Sequence, residues 1–159
     1  MLKTIWYLIL DIESLTNIER GEKMKKEQLI IIPLKSFNGI EYGTSRENVW
    51  KKLGKPNSSF KKTNISKFEI DDYGIFHISY DDNYSFEAVE IFNEAIINYN
   101  DDILSNKYSE VLNYFEKIFN DIEEDECGFI SFHGSIGVYY ENDDDLVDSM
   151  LFGKENYYE

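Results

Sequence analysis

The sequence predicts an α+β fold, an antiparallel β-meander packed against two main helices in a single domain. Three observations support this. Two stretches, Gly43–Pro56 and Ser105–Phe119, carry helical spacing with start or stop signals. Around them, short runs of period-two alternation are separated by Asp, Asn and Gly, which favours antiparallel connections over a doubly wound sheet. The 159 residues are 42% apolar and 16% aromatic, enough to fill one core.

In chain order, the first segment stands apart. Residues 1–23 read as a non-native or peripheral extension ahead of a domain at 24–159. Glu19-Arg20-Gly21-Glu22-Lys23 back-translates to a purine-rich run like a bacterial ribosome-binding site, placed before Met24. The 20 Ile and 14 Asn against 2 Ala fit an AT-rich genome that favours such codons. The competing expectation is an amphipathic helix from Ile5 to Ile18 packed on the domain. The apolar run Met1–Leu10 is too short to span a bilayer, and Asp11 and Glu13 follow it where a signal peptide would place small residues.

Leu29–Pro33 is a β-branched run closed by proline and reads as the first strand, followed by a short extended piece ending at Gly43. In Gly43–Pro56, Thr44 is positioned as a helix cap with Glu47 as its capping-box partner; Val49, Trp50 and Leu53 form one stripe. Gly54 supplies the C-terminal positive φ, and Pro56 prevents continuation. Residues Phe60–Asn100 read as the meander: Phe76, Ile78 and Tyr80 alternate with His77 and Ser79, and Phe86, Ala88 and Glu90 with Glu87, Val89 and Ile91. Ala95–Tyr99 is a further strand. Tyr108, Val111, Leu112, Phe115, Ile118 and Phe119 then mark a core-facing helix with Ser105 as its cap. Phe129–Phe132 and Ile136–Tyr140 form a hairpin around His133-Gly134-Ser135, and Leu146–Phe152 closes the domain as a strand or short helix.

Charge is distributed unevenly. Residues 1–62 hold 12 Lys/Arg against 7 Asp/Glu and residues 63–159 hold 4 against 24, so the halves are +5 and −20 and the chain −15. Such a field repels nucleic acid and anionic membrane and attracts basic protein surfaces or cations. Cys127 is the only cysteine, so there is no disulfide framework and a reducing cytoplasm is the expected compartment.

No constellation identifies a reaction. His77 and His133 lack metal-motif spacing, and Gly134-Ser135 beside His133 is not a triad. No glycine-rich phosphate loop is present. The acidic clusters fail the calcium-loop pattern, since counting from Asp81 puts Phe86 at the sixth position and Phe92 at the twelfth. No cofactor is expected. What remains is a binding face. If the turns at 71–74 and 81–84 and the segment 141–145 gather at one sheet edge, they present Asp71, Asp72, Tyr73, Asp81, Asp82, Tyr84, Tyr139, Tyr140, Asp143, Asp144 and Asp145 to a basic partner, combining steering with aromatic anchoring. A solvated face that only maintains solubility is the ordinary alternative.

Four motifs carry a resemblance: I-P-x-K-S-F at Ile32–Phe37, G-x-S-R-E-x-V-W-x-x-L-G-x-P at Gly43–Pro56, D-D-Y-G-x-F-H at Asp71–His77, and F-E-A-V-E-I-F at Phe86–Phe92. With Ser149–Gly153 and Tyr157-Tyr158, they resemble small bacterial proteins encoded beside polymorphic toxins and taken to be immunity proteins. The resemblance implies a cytoplasmic, non-enzymatic inhibitor that binds and blocks a cognate basic toxin; an enzyme displaying phosphate-binding lysines and arginines, such as a nuclease, would suit the acidic surface. The Gly43–Pro56 block is also similar to one in small outer-membrane assembly lipoproteins, whose lipobox cysteine this sequence lacks. A small-ligand- or cation-binding regulatory module is the second expectation.

Overall fold

The first strand, β1 (Gln28–Ile32), alternates as a pleated strand must: Leu29 and Ile31 are buried while Ile30 and Ile32 face out. In the computed structural model, which describes residues 28–92, 95–141 and 144–159, β1 is central to a five-stranded sheet. On one side lie β2 (Ser36–Phe37) and β3 (Ile40–Glu41), both antiparallel to their neighbours. On the other, β1 pairs in parallel with β8 (Ile96–Tyr99), which pairs with β9 (Asp102–Ile103).

The second sheet has eight antiparallel strands. Along one half run β4 (Ser58–Lys61), β5 (Glu69–Asp72), β6 (Phe76–Tyr80) and β7 (Phe86–Phe92), each beside the next. Along the other run β10 (Ile122–Asp125), β11 (Gly128–Ser131) and β12 (Ile136–Tyr139). The last strand, β13 (Ser149–Gly153), joins the halves by inserting between β12 and β7.

The α+β class fits this mostly β architecture with two helices, whereas a single meander does not describe it. There are two sheets, and the strand expected at Ala95–Tyr99 leaves the β4–β7 run to join the first of them. A second correction concerns β7. A register shift at Ser79/Tyr80 puts Phe86 on the same face as Val89 and Ile91, leaving Ala88 and Glu90 on the other. The extra residue of a bulge is what reverses the alternation. The expected extension at 1–23 and its alternative helix lie outside the described residues.

Helix α1 (Arg46–Leu53) begins one residue later than the capping box predicts: Ser45 Oγ accepts the Asn48 N–H, while Thr44 Oγ1 donates to Glu41 O. Its end matches expectation, with Gly54 at φ 83° donating to Trp50 O. Helix α2 (Tyr108–Glu116) buries Tyr108, Val111 and Phe115, but Ile118 lies beyond its end and is exposed. Ser105 is not its cap, since its Oγ accepts from Lys107 N in the preceding turn. The cap comes from Asp145: its carbonyl accepts from Tyr108 N, and its carboxylate accepts from Ser109 N at 2.8 Å and Ser109 Oγ at 2.6 Å. A carboxylate there satisfies orphan N–H groups and faces the positive end of the helix dipole.

One buried cluster takes residues from both sheets and both helices, among them Leu29, Phe37, Val49, Ile78, Val89, Phe115 and Phe152. Each fully buried side chain of this kind contributes roughly 1.5–3 kcal/mol relative to exposure. No described helix is long and apolar enough to cross a membrane.

Candidate functional site

Asp71, the first of the predicted contact residues, is not at the surface. It is fully buried on the inner face of the eight-stranded sheet, paired across from Ile78. Its carboxylate accepts from Trp50 Nε1 (2.7 Å), Ser59 Oγ (2.7 Å), Tyr80 OH (2.7 Å) and Arg46 Nε (3.1 Å). The Arg46 guanidinium also donates through Nη2, reaches Glu69 at 3.4 Å, and lies against the rings of Trp50, Tyr80 and Tyr84. Burial opposes ionisation of Asp71, but the donors, Arg46 first among them, outweigh it and hold the carboxyl below the usual range. The motifs at Gly43–Pro56 and Asp71–His77 thus converge on one internal ion pair that ties α1 to β5 and β6. It is a structural node.

The other predicted residues do not gather at one edge. The turn after β5 and the turn after β6 lie at opposite ends of β6, separated by its five residues, or roughly 17 Å of strand. The chain leaving β12 is at the same end as the first turn, but β7 and β13 intervene between β6 and β12. Asp72 accepts from Gly74 N and Ser58 Oγ, and Tyr73 donates to Gly54 O with its phenol pushed up to about 12 by burial. Asp81 accepts from Asn83 N and Ser85 N and pairs with Lys154, while Asp82 is exposed. Tyr84 is taken up by Arg46 and Phe68, and Tyr140 stacks on Tyr108 at 4.0 Å. Asp144 accepts from Leu146 N, Asp145 caps α2, and Asp143 lies outside the described residues. Among the described tyrosines Tyr139 alone is exposed, on the outer face of β12.

That outer face, turned away from both helices, is the open surface of the eight-stranded sheet. Its centre is floored by small residues, Ala88, Gly137 and Gly153, over which the C-terminal Tyr157 and Tyr158 fold back. A Cβ on Gly137 would meet Tyr158 OH at 2.2 Å, and one on Gly153 would meet Tyr157 at 2.6 Å, so the glycines make room for the rings. The two tyrosines divide the face into two clefts that share Glu90 and Leu151.

The cleft on the β10–β13 side has a volume of about 460 Å³. Glu90, Glu123, Glu124 and Asp125 line it together with Tyr139 and Tyr158, and no Lys or Arg does. None of these carboxylates is in an ion pair among the described residues. Glu90 accepts only a hydrogen bond from Ser149 Oγ at 2.8 Å. Tyr158, through burial and the nearby Tyr157 and Glu90, and Tyr139, mainly through Glu141, hold their protons more tightly than free tyrosine. The cleft on the β4–β7 side, about 600 Å³, mixes Glu87, Glu69 and Asp82 with Lys62 and Lys67. In it His77 lies edge-on between Phe60 and Phe92, 3.6 Å from Asp72.

Sequence reasoning missed this arrangement. The acidic run Glu123–Glu126 gave no strand signal, and the outer face is assembled from strands far apart in sequence. His133 pairs with Asp121, whereas Ser135 is buried with its Oγ accepting from Tyr157 N, so they form no nucleophile–base pair. Compared with known proteins, the chain matches no family model, and no curated protein or solved structure matches it.

Proposed function

We propose that this is a non-enzymatic binding protein that neutralises a basic protein toxin, and that the outer face of the eight-stranded sheet, not the Asp/Tyr turns, makes the contact. The observation that carries this is the open sheet face with three carboxylates, Glu90, Glu123 and Asp125, that lack cationic partners among the described residues, beside Tyr139 and Tyr158. A chain of net charge −15 steers basic surfaces toward itself, and an acidic, tyrosine-lined face adds anchoring once contact is made. The cytoplasm is the compartment this role requires.

The test is coexpression with the C-terminal domain of the large secreted protein expected immediately upstream of the gene, scored by growth and by pull-down at low and high salt. Rescue of growth with a complex that weakens at high salt is the expected result; a toxin domain that kills equally well with and without this protein overturns the reading. A second reading has its own support, since both clefts have volumes typical of small-ligand sites. A ligand-dependent rise in melting temperature without any protein partner would favour it.

A further inference from the structure

We infer that the β10–β13 cleft is the specific seat of the partner, and that what it takes is an extended surface segment with basic residues at both ends and apolar residues between. This rests on the reading above that the partner is a basic protein. The cleft runs from Glu123 and Asp125 on β10 to Glu90 on β7. Four strand spacings of ~4.8 Å make that roughly 19 Å, the length of five or six extended residues. Its two ends are anionic, whereas its floor, Ile130 and Leu151 around Gly137, is apolar. Tyr158, whose hydroxyl lies over Gly137, and Tyr139 line that floor and offer aromatic surface to a cation or an aliphatic stem.

Charge decides between occupants. A second copy of this chain would bring the same carboxylates against themselves, which like-charge repulsion disfavours. The neighbouring β4–β7 cleft is excluded as the primary seat because Lys62 and Lys67 line it and Lys154 lies 3.6 Å from Glu87, so its acids already have cations at hand. In the β10–β13 cleft the missing cations must come from outside. Lysine or arginine heads at the two ends with short apolar side chains between them supply both complements.

The probe is a capped peptide, Arg-Val-Gly-Val-Leu-Arg, with a Glu-for-Arg peptide as its counterpart, titrated into the isotope-labelled full chain by NMR. The expected result is movement of the amides of Gly128, Ile130, Gly137, Tyr139 and Leu151 with the basic peptide alone. The triple variant Glu90→Gln, Glu123→Gln, Asp125→Asn should bind about tenfold more weakly or worse. The equal-charge variant Asp82→Asn, Glu116→Gln, Glu155→Gln should stay within about twofold of the parent. Ile130→Lys, which sets a cation in the cleft floor, should abolish binding even if the triple variant folds poorly. Equal weakening by both triple variants, or shifts gathered around His77 and Phe60, overturns the assignment. Self-association that scales with concentration and consumes the cleft does so too. A toxin complex indifferent to the cleft variants sinks the cleft and leaves the toxin reading intact. Peptide binding without any toxin complex does the reverse.

Discussion

Asp71 illustrates how much one carboxylate can hold when it leaves water. Fully buried and bound by Arg46, Trp50, Ser59 and Tyr80, it tolerates no neutral substitute that keeps the shape: in Asp71→Asn one side of the amide turns a donor toward donors, and Arg46 keeps an uncompensated charge. Breaking such a pair costs about 3–5 kcal/mol, read as a lower urea midpoint at neutral pH. The folded carboxyl ionises below the value of about 3.9 of an unfolded aspartate. Its contribution is therefore complete above that value and is lost as pH falls through the folded one. The gap between parent and variant should stay constant from neutral pH down to about pH 5, narrow below the unfolded value of about 3.9, and close once the folded carboxyl is itself protonated; a gap that does not narrow on acidification would mean the carboxylate charge is not what matters. Two glycines make a second residue-level contrast. At Gly128 (φ 147°) a Cβ would lie 1.9 Å from the backbone oxygen of Val138, whereas at Gly137 the obstacle is the far end of the Tyr158 side chain. Gly128→Ala should cost more than about 2 kcal/mol. Gly137→Ala should cost under about 1 kcal/mol and act by displacing Tyr158, visible as faster proteolysis at the C-terminus.

Among the elements, α2 depends on a residue from another part of the chain. Asp145, separated from Ser109 by 36 positions, supplies its N-terminal cap. Asp145→Ala should lower the melting temperature, while Ser105→Ala should change little because Ser105 bonds only the preceding turn. The same comparison shows what could be read from sequence and why. Elements fixed by local chemistry were legible: α1 from its stripe and Gly54, with its cap one residue off, and the 129–139 hairpin and the strands around Ile78 from alternation. Elements fixed by distant partners were not. The parallel pairing of β1 with β8, the insertion of β13 and the strand at Glu123–Asp125 have no signature within their own residues. The site failed for a related reason. Acidic and aromatic clustering marked Asp71 and Tyr84 as partner contacts, whereas both are engaged within the protein by Arg46; composition cannot distinguish a carboxylate that meets arginine inside the sheet from one waiting for it outside.

At the scale of the whole molecule, net charge −15 acts in two directions. Self-repulsion works against the compact state, and the attraction it offers a basic partner is screened over about 8 Å at physiological salt. Added sodium chloride should therefore raise the melting temperature of the isolated protein while slowing its association with the proposed toxin partner. Opposite slopes in the two measurements identify one field as the cause of both. Equal signs would separate them and leave the association to apolar contact.

The place of β13 has a consequence for synthesis. Chain order and spatial order disagree there: the strand that bridges the two halves of the large sheet is the last to be made. On the ribosome, β4–β7 and β10–β12 must wait as separate half-sheets, with the edges of β7 and β12 unpaired, until residue 153 has emerged. The nascent chain is thus exposed to edge-to-edge mispairing at β7 from residue 92, and at β12 from residue 139, until β13 is made. The net charge of −15 sets like charge against like between neighbouring nascent copies during that interval.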